Sequence, residues 1–262
     1  MDSQEDGYSL LRQTLLRIAP LPASELEYLQ RHAEPRSYPT GRALIEAGET
    51  PTRCWFLIAG FLRPRSGTVT MDGRPITRPG ADRGVVFQEY ALLPWKNVRD
   101  NVALGLKFRG VPRAERERTA DEFLKLTNLA DAGDKFPFEL SGGMKQRVAL
   151  ARTLANRPEV MLMDEPFAAV DAQTRMTLQE ELLRLWNHSR VTVLFVTHSV
   201  DEAVFLADRV VVLTSGPGRV RASVAIDIPR EDRTWNRLRQ DERFSALCSD
   251  ILALVRSPGA SA

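Results

Sequence analysis

The chain has 262 residues, 43% of them hydrophobic, enough to bury one large core or a core with a small appendage. Lys and Arg total 36 against 34 Asp and Glu, a formal net charge of +2, which gives no reason to expect nucleic acid as a partner. Cys54 and Cys248 lack metal-ligand spacing, and the absence of a leader pattern or a bilayer-length apolar run predicts a cytoplasmic chain that meets a membrane only through a partner. Taken in order, Leu10, Leu11, Leu15, Leu16 and Ile18 share a helical face closed by Pro20 and Pro22. Ser24, Glu25 and Glu27 open a second short helix. Tyr38 to Gly41 is a turn, Ala43 to Ile45 a short strand, and Ala47 to Glu49 another turn. Trp55 to Arg63 reads either as an aromatic strand or as the end of a helix.

From Pro64 to Ile76 the pattern alternates into a strand and a tight Asp72-Gly73 turn. Gly84 to Gln88 is an apolar strand ending in a polar residue; a loop from Glu89 to Pro94 follows, then a helix start at Asn97. Residues 99–138 are charged with helical periodicity, and Arg113 to Arg118 form a solvated face. Glu139 to Arg147 is a loop opening a helix: Ser141 is an N-cap, and Gly142 and Gly143 leave backbone N–H groups uncovered. Such an end suits a phosphate, because unpaired amides and the helix dipole both favour an anion. Val160 to Met163 is a buried strand delivering Asp164 and Glu165 at its carboxyl end, where open parallel sheets place ligands. Arg190 to Thr197 is a second such strand, ending at His198. Val210 to Leu213 is a further strand, Ser215 to Val220 a turn, and Trp235 to Val255 an amphipathic helix pair.

Leu140-Ser141-Gly142-Gly143 before Met144-Lys145-Gln146-Arg147, with an apolar run ending in Asp164-Glu165-Pro166, resembles the signature of the ATP-binding-cassette (ABC) ATPases. The turn at Ser215 to Val220 is similar to that of their nitrate, sulfonate and taurine importer branch. The resemblance covers roughly residues 57–255. It implies an α/β, P-loop NTPase-like ABC ATPase domain over 57–230, a helical subdomain at about 90–150, and C-terminal helices over 231–262. It further implies ATP as substrate with Mg2+, a membrane permease, and a second ATPase subunit in a homo- or heterodimer on the inner face of the cell membrane. In that family pattern Gln88 contacts magnesium and the attacking water, Asp164 holds magnesium through water, Glu165 is the base, and His198 touches the γ-phosphate. Ser141, Gly142 and Gly143, with Gln146 and Asp171, serve the nucleotide between the two subunits; Val170, beside Asp171, stands where leucine is more common.

Two departures qualify that resemblance. Leu16 to Arg63 is similar to the opening of the cyclic-nucleotide-binding domains of catabolite-activator-type regulators, so residues 1–56 read as a partial, small α+β segment of that kind. The later Gly-Glu and Arg elements that hold the cyclic phosphate have no counterpart, and cyclic nucleotide is not expected as a ligand. The chain reads as a fusion at a string both families share. Nowhere does it contain Gly-x-x-x-x-Gly-Lys followed by Ser or Thr, the loop that cradles the triphosphate, so the ABC domain is expected to be truncated at its N-terminal part. Losing three charge-assisted hydrogen bonds at roughly 1.5–3 kcal/mol each weakens ATP binding by about three to six orders of magnitude. The absent segment is also expected to carry the central strand beside Val160 to Met163. The expected function is therefore an importer ATPase subunit impaired in ATP binding. The alternatives are a non-hydrolytic partner lending its Ser141 loop in trans and an inactive fusion.

Overall fold

The computed structural model describes residues 57–62, 67–88, 90–214 and 220–256. The partial cyclic-nucleotide-binding-like segment, Glu89 and the turn at 215–219 lie outside the described residues. Residues 57–59 are helical, which decides that part of the Trp55 to Arg63 string in favour of a helix end. Strands β1 (Thr70–Met71) and β2 (Arg74–Pro75) form a hairpin about Asp72 and Gly73, at φ 48° and 75°. Both central residues at positive φ make the predicted tight turn, whose twist matches paired strands.

Strand β3 (Arg83–Val86) leads into four helices: α1 (Val98–Val102), α2 (Leu104–Phe108), α3 (Arg113–Leu126) and α4 (Gly142–Ala155). They enclose their own core, in which Val98, Val102, Ala120, Leu124, Val148 and Ala151 are fully buried. Asn97 caps α1 by accepting from the Asp100 N–H at 2.8 Å. Asn101 is wholly buried and fully satisfied: its amide donates to the carbonyls of Leu93, Lys96 and Asn97, and its oxygen accepts from the Leu93 N–H. The loop after Gln88 is thereby pinned to α1.

Strand β4 (Val160–Asp164), helix α5 (Ala172–Ser189) and strand β5 (Thr192–Val196) follow. They build a parallel sheet ordered β3-β4-β5. Met161 and Met163 point into one core and Leu162 into another, where it meets Ala59. Helix α6 (Val200–Leu206), an antiparallel pair of β6 (Arg209–Leu213) and β7 (Val220–Ala225), and helices α7 (Trp235–Leu238) and α8 (Glu242–Arg256) complete the described chain.

The sheet corrects one expectation. No strand is missing beside Val160 to Met163, because β3 and β5 pair with β4 on both sides in continuous register. Helical crossovers between parallel strands put neighbours in sequence side by side, so β4 takes its partners from the segments that flank it. The interruption lies further out. Among the described residues β5 pairs with β4 alone and β6 with β7 alone.

Candidate functional site at the carboxyl edge of the sheet

Register brings the predicted residues to one edge. Val86 pairs with Met163, and Met163 with Phe195, so Gln88, Glu165 and Thr197 each stand two residues beyond one line across the sheet. Asp164 ends β4, and His198 follows Thr197. Glu165 leaves its strand at φ 43°, with its N–H donating to the Val196 carbonyl at 2.9 Å. A left-handed glutamate costs roughly 1 kcal/mol or more, and such strain collects where a side chain must be aimed. Here it is aimed at His198, whose Nδ1 lies 3.1 Å from Glu165 Oε1. The imidazole is 75% exposed and the carboxylate 33%, so both can reach a ligand from solvent. Gln88 is exposed as well.

The second group is the start of α4. Ser141 caps it, its hydroxyl accepting from the Met144 N–H at 3.3 Å. Ser141 and Gly142 are exposed and Gly143 half-buried. A Cβ on Gly143 would lie 2.7 Å from Thr174 Cγ2, so a larger residue there would force a shift, while one on Gly142 would lie 3.2 Å from Tyr90 Oη, a tight contact. Asp171 caps α5, accepting from the Thr174 N–H at 2.9 Å, and hydrogen bonds from the Thr174 N–H and hydroxyl hold its carboxyl below the usual range. Gln146 is placed differently. It is fully enclosed, and among the described residues neither atom of its amide has a hydrogen-bond partner.

Two arginines that the sequence reading passed over fix α4 in place. Arg147 grips Glu181 of α5 through Nε at 2.7 Å and Nη2 at 3.0 Å. Arg152 donates to the Ala91 and Tyr90 carbonyls at 2.6 and 2.9 Å, clamping the loop after Gln88. Burial lowers the Arg152 pKa to about 10, which still leaves it cationic at neutral pH. The available signal was a charged residue inside the apolar run Val148 to Ala155, because such a charge has to find a partner.

Asp164 and Gln88 offer oxygen donors of the kind Mg2+ prefers. Among the described residues no cluster of three or more His, Cys, Asp or Glu could cage a metal by itself. A separate cavity of about 300 Å³, lined by Arg74, Arg78, Arg83 and Glu159 among others, opens at the amino ends of β3 and β4, away from this edge.

An ABC transporter family model matches residues 54–168. A nitrate import ATP-binding protein of a Synechocystis species is 46% identical over 204 residues, 76% of this chain and 77% of that one. The chain belongs to the ABC transporter ATP-binding proteins. A taurine import ATP-binding protein of Pseudomonas putida is 47% identical over 218 residues, 82% of this chain and 83% of its own length. A solved ABC structure, described as a dimeric post-hydrolysis state with ADP and Pi, superposes with a TM-score of 0.56 at 30% identity, over 68% of this chain and 81% of that one. The described α/β structure thus has the ABC ATPase fold that the sequence predicts.

Proposed function

We propose that this chain is the ATP-binding subunit of an importer for nitrate-, sulfonate- or taurine-like anions, impaired in binding ATP at its own site. The importer reading is supported by the names of its relatives. The impairment is supported by a sequence without a phosphate-cradling loop; among the described residues the sheet is also interrupted between β5 and β6. What carries the reading is the contrast at the site itself: Glu165 and His198 are poised 3.1 Å apart at a sheet edge, yet the sequence supplies no loop to hold a triphosphate before them.

Under this reading residues 57–230 are the ATPase domain, with its helical subdomain at about 90–150, and residues 231–262 are C-terminal helices; residues 1–56 are a separate, partial cyclic-nucleotide-binding-like segment. Glu165 would be the general base, His198 and Gln88 would position the γ-phosphate and water, and Asp164 with Gln88 would hold Mg2+, which neutralises phosphate charge when bound. Ser141, Gly142, Gly143 and the exposed Asp171 would bind the nucleotide of a second ATPase subunit; buried Gln146 would shape that surface from behind. Among the described residues no helix is long and apolar enough to cross a membrane. A permease partner would hold the chain on the inner face of the membrane.

Equilibrium binding of Mg-ATP to the purified chain tests this directly. No saturation up to millimolar ATP is expected, whereas micromolar binding would overturn the impairment. Mixing with an intact ABC subunit tests the trans role: stimulated turnover should vanish in Ser141→Arg, and stimulation surviving that substitution would sink the role.

A further inference from the structure

His198 is fixed from behind rather than by its own side chain. Among the described residues its imidazole is tied only to Glu165, and it is 75% exposed. The residues on either side of it are held much more firmly. Thr197 Oγ1 donates to Glu202 Oε2 and accepts from the Ser199 N–H at 3.0 Å, so one hydroxyl brackets the histidine. Glu202, on α6, is 6% exposed, and its other oxygen accepts from Gln179 Nε2 at 2.7 Å. Gln179, on α5, is 2% exposed and accepts from Trp235 Nε1 at 3.0 Å. Trp235 opens α7; its ring stacks on Phe205 with centroids 4.4 Å apart and meets Phe244 of α8 edge-on at 6.1 Å.

We propose that Thr197, Glu202, Gln179 and Trp235 form a buried relay through which the C-terminal segment sets the position of His198. A carboxylate this deep is tolerable only when both oxygens are hydrogen-bonded, so each link enforces the geometry of the next. Removing the Thr197 hydroxyl leaves Glu202 Oε2 unpaired and frees the Ser199 N–H, and the loop that aims His198 loses its anchor. Removing the Trp235 N–H leaves Gln179 free to turn away from Glu202. These four are positioning residues, since none of them contacts the reacting groups in the proposed reaction. The inference rests on the role proposed for His198, but its geometry needs no nucleotide.

The test is accordingly made on nucleotide-free protein, reading the ring-nitrogen NMR signals of His198, assigned by their loss in His198→Ala. Thr197→Val is expected to remove the signature of an Nδ1 bonded to Glu165, while Thr197→Ser, which keeps the hydroxyl, retains it. Trp235→Phe keeps the ring stack and loses only the N–H; it is expected to shift the same signals in the same direction by a smaller amount. Melting curves establish that each variant is folded. His198 signals unchanged in Thr197→Val, or lost equally in Thr197→Ser, would overturn the positioning role. Signals changed by Thr197→Val but not by Trp235→Phe would overturn the reach to the C-terminal segment. Neither result depends on ATP binding, which is judged separately by the Mg-ATP titration.

Discussion

Val98, Leu124 and Val148 in the helical region between β3 and β4 are completely buried, while on the far side of the sheet Val193 to Val196 of β5 are only half-buried and Val211 of β6 is 50% exposed. The helical region is assembled from one continuous stretch, and its core, caps and ion pairs all lie within it or weld it to α5. The β5 side needs a neighbour that no described residue provides. The helical core closes with contacts inside one stretch of chain, whereas the sheet joins strands far apart in sequence.

The sharpest way to break this contrast is at the weld. Arg147→Met leaves Glu181, 10% exposed at its side chain, without its bidentate partner, and a loss of roughly 3 kcal/mol is expected in urea unfolding. A loss below about 1 kcal/mol would mean that the helical region stands independently of α5. Next comes Leu124→Ala, where truncation at a fully buried position should cost about 2–5 kcal/mol.

A smaller effect is expected from acid. The Arg230 hydrogen bond holds the Asp208 carboxyl below its ordinary value of 3.8, so the pair stabilises the fold above the unfolded pKa and that stability is lost as pH falls through the lowered folded pKa. Because the Asp208 side chain is 66% exposed, less than about 1 kcal/mol is at stake. Urea midpoints at about pH 6 and about pH 3 should therefore converge slightly in Arg230→Met relative to wild type. The smallest effect is expected on the open side: Val211→Lys should change stability by less than about 0.5 kcal/mol. A large loss there would show that β6 is buried by something outside the described residues.

Much of this was legible in the sequence because the relevant signals are local. Ser141 and Asp171 are good caps wherever they stand, Asp72-Gly73 dictates its turn, and the apolar run Val160 to Met163 announces a strand buried on both faces. Which strands lie beside that run was not legible, since adjacency follows from crossovers rather than from the strand itself. Gln146 escaped for a related reason. A polar residue on a helix gives no sign of whether it faces solvent, and here it faces the core with its amide unpartnered among the described residues. Arg147, Arg152 and the Thr197 relay depend on partners tens of residues away, and a single sequence does not pair them.

A strand edge is also a template. Thr192 to Val196 contains no charge and no proline, and among the described residues its outer edge is unpaired. Such an edge lets a second chain add its own strand, and the lysines, bulges and prolines that usually deter this are absent from β5. Among the described residues, then, this edge bears on solubility rather than on folding free energy.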